Sequence, residues 1–422
     1  MNVKCPIWLK DYRFFQIFVL GILSGMPFSI LYTSMIAWMK DCNIELALIT
    51  SFAVARLPYS LKVFWSPAID YFKIPLLHRL GQKKSWMMVS AGIIAISLFF
   101  VSRLNPTESL TDLRYIAIMI GICAATYDLG CDAIRINLLS SEEQGLGSAT
   151  AVLGWRLGAY LTGGLTLYFV GQNYDLWSKV FVIMGVVFAF SVIFISTIKE
   201  PRLFADHGGN FYQRFHDLAV KPFVEILSRR GALIILASIV CYKMGEAMLG
   251  FVSMPFYKHL GYSNEQIGIM VKTYGVLATT FGSIAGGMVV YRMGNVKGMI
   301  VCGLLQSFSN LMYLWLHHQD VSNSALLTAV SIDNFTGGMG STALVSYLSA
   351  LCNKTYSASQ YALLSSLSTL ANNALSAESG KIIDLFGWDP FFIMTVVLEF
   401  PALILLLYIG KKTLFSFNDK KE

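Results

Sequence analysis

This sequence is short of charge. Lys, Arg, Asp and Glu make up 14% of its 422 residues, where ordinary soluble domains carry about 25%. Apolar residues make up 55% and the mean hydropathy is +0.59. So little polar material cannot coat a water-facing globule, and the chain reads as a polytopic membrane protein. The seven cysteines, Cys5, Cys42, Cys123, Cys131, Cys241, Cys302 and Cys352, are scattered, with no CxxC pair and no His/Cys grouping at metal-ligand spacing. Neither a disulfide framework nor a metal or other cofactor is expected. There is no GxxxxGK[ST] loop to cradle a nucleotide and no nucleophile beside a base, and the loops, 199–230 apart, are mostly too short for a catalytic domain. An enzyme is not expected. The first apolar run, 14–37, is longer than the ~7–15-residue core of a cleavable signal and lacks a small-residue cleavage site, so it is expected to stay as a helix.

What the chain does have is apolar segments of span length. They lie near 14–37, 48–69, 86–102, 114–139, 146–170, 178–198, 231–253, 264–290, 297–316, 324–351, 359–383 and 390–410, each close to the ~20 residues that cross a bilayer. Twelve transmembrane helices are expected. With the N-terminus in the cytoplasm, the inner segments hold 20 Lys and Arg and the outer loops five, a bias that puts both termini inside. The net charge of +7 follows from this topology and does not call for nucleic acid.

The stretch Ala124 to Arg135, AATYDLGCDAIR, stands out. Asp128, Asp132 and Arg135 fall at i, i+4 and i+7, on one face of a helix. Ionised groups at membrane depth are costly and face a water-filled cavity or a partner. The two carboxylates lie about 6 Å apart along the axis, so one is expected to hold its proton more tightly than a free acid, as proton coupling requires. The alternative is a packing network in which Arg135 or Arg156 neutralises them permanently.

The connection 199–230 is polar and basic and divides six helices from six. The halves echo each other: HRLGQKK (78–84) resembles YRMGNVK (291–297), and Pro27 has a counterpart in Pro255. The expected fold is therefore all-α, two pseudo-symmetric six-helix bundles at 1–198 and 231–422 joined by a cytoplasmic linker at 199–230. The Gly/Arg/Lys turn resembles the loop motif of the major facilitator superfamily, interrupted here by an insertion between Asp70 and Arg79.

Three stretches resemble one family more closely. They are SGMPF (24–28) with RLPYSLKVFWSPAID (56–70), ATYDLGCDAIR, and GGMGSTALVSYLSALCNKTYSASQYALLSSLS (337–368); GIMVKTYGVLAT (268–279) adds to them. Together they resemble the AmpG-type muropeptide permeases, inner-membrane carriers of the major facilitator superfamily. The resemblance implies proton-coupled import of GlcNAc–anhydroMurNAc and its peptide derivatives for peptidoglycan recycling. It implies a small glycopeptide and protons as partners, within a bacterial inner membrane, and a monomer is expected. The chain differs from the family in having twelve spans where some members have more, and in Tyr127 where a glutamine is common, a position expected to face the same cavity as Asp128.

A muropeptide carries several carboxylates, which Arg forks and Lys ammoniums recognise. Arg56, Arg135, Arg156 and Lys272 are the candidates, with Trp155 for a sugar ring and Asp333 and Asn334 on the segment that mirrors 114–139. Lys62, six residues and roughly 240° from Arg56 on an α-helical wheel, is assigned to the cytoplasmic end. Lys243 and Glu246 read as an i, i+3 ion pair, and Lys381 as a snorkelling lysine. Tyr32, Trp38, Tyr59, Trp65 and Tyr160 are further aromatic candidates, against which stands the ordinary interfacial belt. Gly337, Gly338 and Gly340 suit close helix approach. Pro27, Asn353 and Lys354 are the gating candidates, although a helix cap by Ser357 or Ser359 explains much of the 353–359 turn. Three alternatives stay open: a carrier of another substrate (an acyl-coenzyme A, a sugar or a drug), a membrane enzyme acting on lipid-linked sugars, and a carrier turned sensor.

Overall fold

A computed structural model of the chain describes residues 11–171, 173, 175–201, 220–229, 231–376 and 378–411. Among the described residues every regular element is a helix, as expected of apolar segments whose backbone groups must be satisfied within themselves. Among the described residues eight helical stretches are long and apolar enough to cross a membrane: Tyr12–Asp41, Gln82–Val101, Leu110–Leu138, Leu176–Thr197, Ala232–His259, Ile269–Met293, Asn295–His317 and Trp388–Lys411. The other four expected segments are helical as well. Asn323–Leu351 is a single helix rich in Gly, Ser and Thr, while 144–170 breaks at Gly163 and 357–386 divides before Ser379. The segment 46–71 alternates short α and 3-10 turns around Pro58 and Pro67, where the missing proline N–H groups interrupt the ladder.

Two π-helical turns interrupt otherwise regular helices. Ile30–Ser34 follows Pro27, which is buried inside Tyr12–Ser29, and Gly268–Tyr274 contains Lys272. Widened turns of this kind mark places where a helix bends.

The chain divides into two compact units. The first comprises the described residues of Met1–Ser140, Thr150–Phe223 and Cys352–Ser366, the second those of Ser141–Ala149, Val224–Leu351 and Leu367–Glu422. In the first, Tyr12–Ser29 meets Gln144–Thr162 through glycines spaced four apart. A methyl group on Gly25 or Gly158 would overlap the backbone of Trp155 or Ile22, so only glycine permits this approach. The second unit repeats the device, with Gly282 against Phe335 and Gly338 against Thr279. Its core centres on Phe256, Tyr257, Tyr313, Phe391 and Phe392.

The turn HRLGQKK starts the helix Gln82–Val101. Glu200 accepts from the Lys83 and Lys84 backbone N–H groups at 3.0 and 3.1 Å, occupying donors that the first turn leaves open. Gly81, at φ +146, adopts a backbone conformation that favours glycine, and a Cβ there would collide with the Glu200 carboxylate.

Candidate functional site

In the first unit the helix Leu110–Leu138 carries the acidic face. Asp128 pairs with Lys62, Nζ to Oδ2 2.8 Å, and accepts from the Ser24 hydroxyl at 2.7 Å. One turn on, Asp132 pairs with Arg135 at 2.7 Å, and the Arg135 guanidinium lies 5.6 Å from the centroid of the Tyr361 ring. The cations are the more enclosed partners: the side chains of Lys62 and Arg135 are 8% and 1% exposed, against 21% and 17% for Asp128 and Asp132. A small ion can thus reach the carboxylates more readily than the cations behind them.

Lys62, which the sequence leaves apart from the acidic residues, joins them here through Asp128. The α-helical wheel assumes one regular helix through this segment, whereas the short α-turn 57–61 lies between 3-10 turns at 52–56 and 62–64, and a wheel does not say which neighbouring helix a residue meets. The side chains of Arg56 and Lys272 lie outside the described part of the structure. Tyr127 is another correction: it is fully buried within the apolar core of the unit. Successive helical residues point about 100° apart, so sharing a stretch with Asp128 does not give it the same outlook.

Aromatic side chains gather on Phe28, which the sequence reading passed over. Tyr32, Tyr59 and Trp155 stand with ring centroids 4.4, 6.0 and 5.2 Å from it. The Tyr59 hydroxyl is buried with no hydrogen-bond partner among the described residues. Arg156, beside Trp155, is half-buried. Of the other aromatic candidates, Trp38 packs against Phe181 at 5.0 Å, Trp65 donates to the Thr126 hydroxyl at 3.1 Å, and Tyr160 is exposed.

Below this face lies a helix start. Asp70 accepts from the N–H groups of Ala358 and Ser359 at 3.2 and 2.8 Å and from the Ser359 hydroxyl at 2.6 Å, with Lys83 Nζ 3.6 Å from its carboxylate. The cap of Ser357–Ser376 is therefore Asp70, not the local serines. Lys83 also donates to the Ser357 hydroxyl at 2.7 Å. Asn353 caps the short turn Lys354–Tyr356 through the Thr355 N–H, and Asn353 and Lys354 are both exposed.

The second unit holds its own polar cluster. The Tyr313 hydroxyl donates to Asp333 at 2.9 Å and stands 3.3 Å from that of Tyr257. Asn334 accepts from the Thr279 hydroxyl at 3.0 Å and donates to the Val330 carbonyl at 2.9 Å. Lys243 pairs with Glu246 and donates to the Ser341 hydroxyl at 2.9 Å. Glu399, 2% exposed, accepts from the Ser307 hydroxyl at 2.6 Å and the Glu246 N–H at 3.1 Å. It thereby serves the first turn of Met244–His259, which restarts after the break at Tyr242 and Lys243. No local spacing in the sequence points to this role of Glu399. Lys381 pairs with Glu378 at 2.8 Å at an exposed position.

Comparison with known proteins agrees on one family. The family model "Major Facilitator Superfamily" matches residues 17–372 and 234–421. A protein of Rickettsia felis named "Putative transporter AmpG 4" is 45% identical over 404 residues, spanning 96% of this chain and 98% of the relative. The "Anhydromuropeptide permease" of Escherichia coli K12 is 31% identical over 390 residues, spanning 92% of this chain and 78% of the relative. Among solved structures, the human organic anion transporter TETRAN superposes with a TM-score of 0.70 at 15% identity, covering 94% of this chain and 99% of that one. The Escherichia coli fucose:proton symporter does so with a TM-score of 0.68 at 10% identity, covering 94% and 98%. These two show the shared fold.

Proposed function

The chain belongs to the major facilitator superfamily and, within it, to the AmpG-type transporters, and we propose that its cargo is an anhydro-muropeptide imported together with protons. The cargo class is GlcNAc–anhydroMurNAc with or without its peptide. The membrane is the bacterial inner membrane, with both termini in the cytoplasm, the halves 1–198 and 231–422 joined by 199–230, and the monomer as the working unit.

The observation that carries this reading is the pair of adjacent ion pairs, Lys62–Asp128 and Arg135–Asp132, with the carboxylates more exposed than the cations. Protonating either carboxylate removes the negative charge that offsets a buried cation, which costs about 3–5 kcal/mol in comparable sites. An anionic cargo removes that cost by offering its own carboxylate to the released Lys62 or Arg135. Proton and cargo then bind cooperatively, because each makes the other's site favourable. Loss of the proton on the cytoplasmic side restores the internal pairs and displaces the cargo. Asp128 and Asp132 are the proton-coupling groups in this scheme.

Around them, Trp155 with Phe28, Tyr32 and Tyr59 forms a platform for a sugar ring, and the unpartnered Tyr59 hydroxyl suits a sugar hydroxyl. Arg56 and Arg156 supply further anion recognition; within the second unit, Lys272, Asp333 and Asn334 are the groups assigned to cargo recognition. Tyr127 shapes the site only through the packing of its helix. Pro27 beside the π-turn, and Asn353 with Lys354 at the 352–356 turn, are the gating positions.

The test is uptake of labelled GlcNAc–anhydroMurNAc into proteoliposomes with and without an inward proton gradient, comparing the intact protein with Asp132→Asn. Gradient-driven accumulation that the substitution abolishes is the expected result. No uptake by folded intact protein rejects the cargo, while uptake indifferent to the gradient keeps the cargo and rejects the coupling.

A further inference from the structure

At one end of the second unit the fold brings to two adjacent histidines a carboxylate that no local spacing connects to them. His317 closes the helix Leu311–His317, His318 follows it, and Asp389 stands in the first turn of Trp388–Val397, 71 residues beyond His318. His317 Nδ1 lies 2.6 Å from Asp389 Oδ1, and His318 Nε2 lies 3.0 Å from Asp389 Oδ2. One donor atom from each of the three lies within 4.8 Å of the others. We propose that His317, His318 and Asp389 form a binding site for a divalent transition-metal cation of the zinc class.

Two imidazoles and a carboxylate are the donor set that Zn²⁺ and its first-row neighbours prefer, whereas Ca²⁺ and Mg²⁺ require mostly oxygen ligands. A tetrahedral ion with bonds of about 2.0–2.2 Å needs ligand atoms about 3.4 Å apart, a spacing that small side-chain rotations reach from the present arrangement. The surroundings restrict the rings. His317 packs edge-on against Phe256 at 5.9 Å, and His259 lies 6.2 Å from His317 and 5.7 Å from Trp388 between ring centroids. The side chains of His318 and Asp389 are 62% and 38% exposed, so a hydrated ion has a path in and a water can complete the coordination. Bound there, the ion replaces two imidazole–carboxylate contacts by bonds to itself and ties the end of Leu311–His317 to the start of Trp388–Val397. The site belongs to the second unit and uses none of the groups assigned to proton coupling.

The experiment is calorimetric titration of tag-free, full-length protein in detergent with ZnCl₂, alongside Asp389→Asn and His318→Gln. The intact protein is expected to bind one equivalent at this site and to melt at a higher temperature with Zn²⁺, with no such rise from Mg²⁺ or Ca²⁺. Each substitution is expected to weaken binding by at least about tenfold, since even removing an outer partner of a metal ligand costs that much. Because His318 is exposed, His318→Gln keeps the test valid if Asp389→Asn lowers folding yield. A Co²⁺ titration, read by visible absorption, reports nitrogen coordination directly. Absence of saturable Zn²⁺ binding by the intact folded protein overturns the proposal, and so does equal binding by the intact protein and both variants.

Discussion

Replacing Lys62 by methionine removes the cation that faces Asp128 while keeping a long apolar side chain in its place. At 2.8 Å and an effective dielectric constant of about 20, the gross attraction between the two charges is roughly 6 kcal/mol. Desolvation of the enclosed ammonium offsets part of this, and breaking one side of a buried pair typically costs about 3–5 kcal/mol. Among the described residues Asp128 keeps the Ser24 hydroxyl as its hydrogen-bond partner, which does not neutralise it, and Arg135, farther along the helix, is already paired with Asp132. Its remaining escape is to take up a proton, so the lower end of that range, about 3 kcal/mol, is the expected loss. Adding Asp128→Asn removes the stranded charge, and the double variant should recover more than half of what Lys62→Met lost. The check is a double-mutant cycle on melting temperatures in detergent, run with proteoliposome transport. Lys62→Met should lose gradient-driven accumulation while retaining exchange of cargo between the two sides. If the two substitutions lower stability additively, Lys62 and Asp128 do not act on each other and the reasoning fails.

Gly25→Ala pushes a methyl group into the Trp155 backbone and should destabilise the protein by about 1–3 kcal/mol. Gly92→Ala, in the helix Gln82–Val101 with nothing within 4 Å of the added carbon, should be neutral or stabilising by up to about 1 kcal/mol; melting temperatures that fall equally in both would contradict the packing argument. Asp11 caps Tyr12–Ser29, and its side-chain hydrogen bond with Arg13, 2.7 Å at the closest, holds its carboxyl below the usual carboxylate range. A lowered folded-state value makes this contribution complete above the unfolded value, about 3.9, and lost as pH falls through the folded one. Asp11→Ala should therefore cost about 1 kcal/mol at neutral pH, and its melting temperature should approach that of the intact protein in acid. A gap that stays constant with pH refutes the assignment.

What the sequence made legible, and what it did not, follows from the range over which a pattern carries information. The helical segments could be read because their length and apolarity are properties of contiguous residues. The common face of Asp128, Asp132 and Arg135 could be read because their spacing lies within one regular helix; the Lys243–Glu246 pair could be read because the two stand three residues apart, although Lys243 precedes the helix that begins at Met244. Each misplaced residue depends on something a local pattern does not contain. Lys62 finds Asp128 on another helix, and a wheel drawn on its own segment does not contain that partner. Asp70 caps a helix that starts 287 residues later at Ser357, so the nearby serines were the only capping groups in view. Glu399 finds its role only because the helix at Tyr242 and Lys243 breaks and leaves the Glu246 N–H open. The histidine pair and Asp389 show the same limit most sharply: a scan for ligand spacing rejects them, although the fold sets them in contact. Periodicity thus tells which residues share a face, while the partner across that face is set by tertiary packing. The pair Asp132–Arg135 lies within one helix and is legible from spacing, whereas the pair Lys62–Asp128 joins two helices and is not. Lys62 tests this distinction most directly, because a local rule sets it apart from the acidic face and the fold pairs it with Asp128.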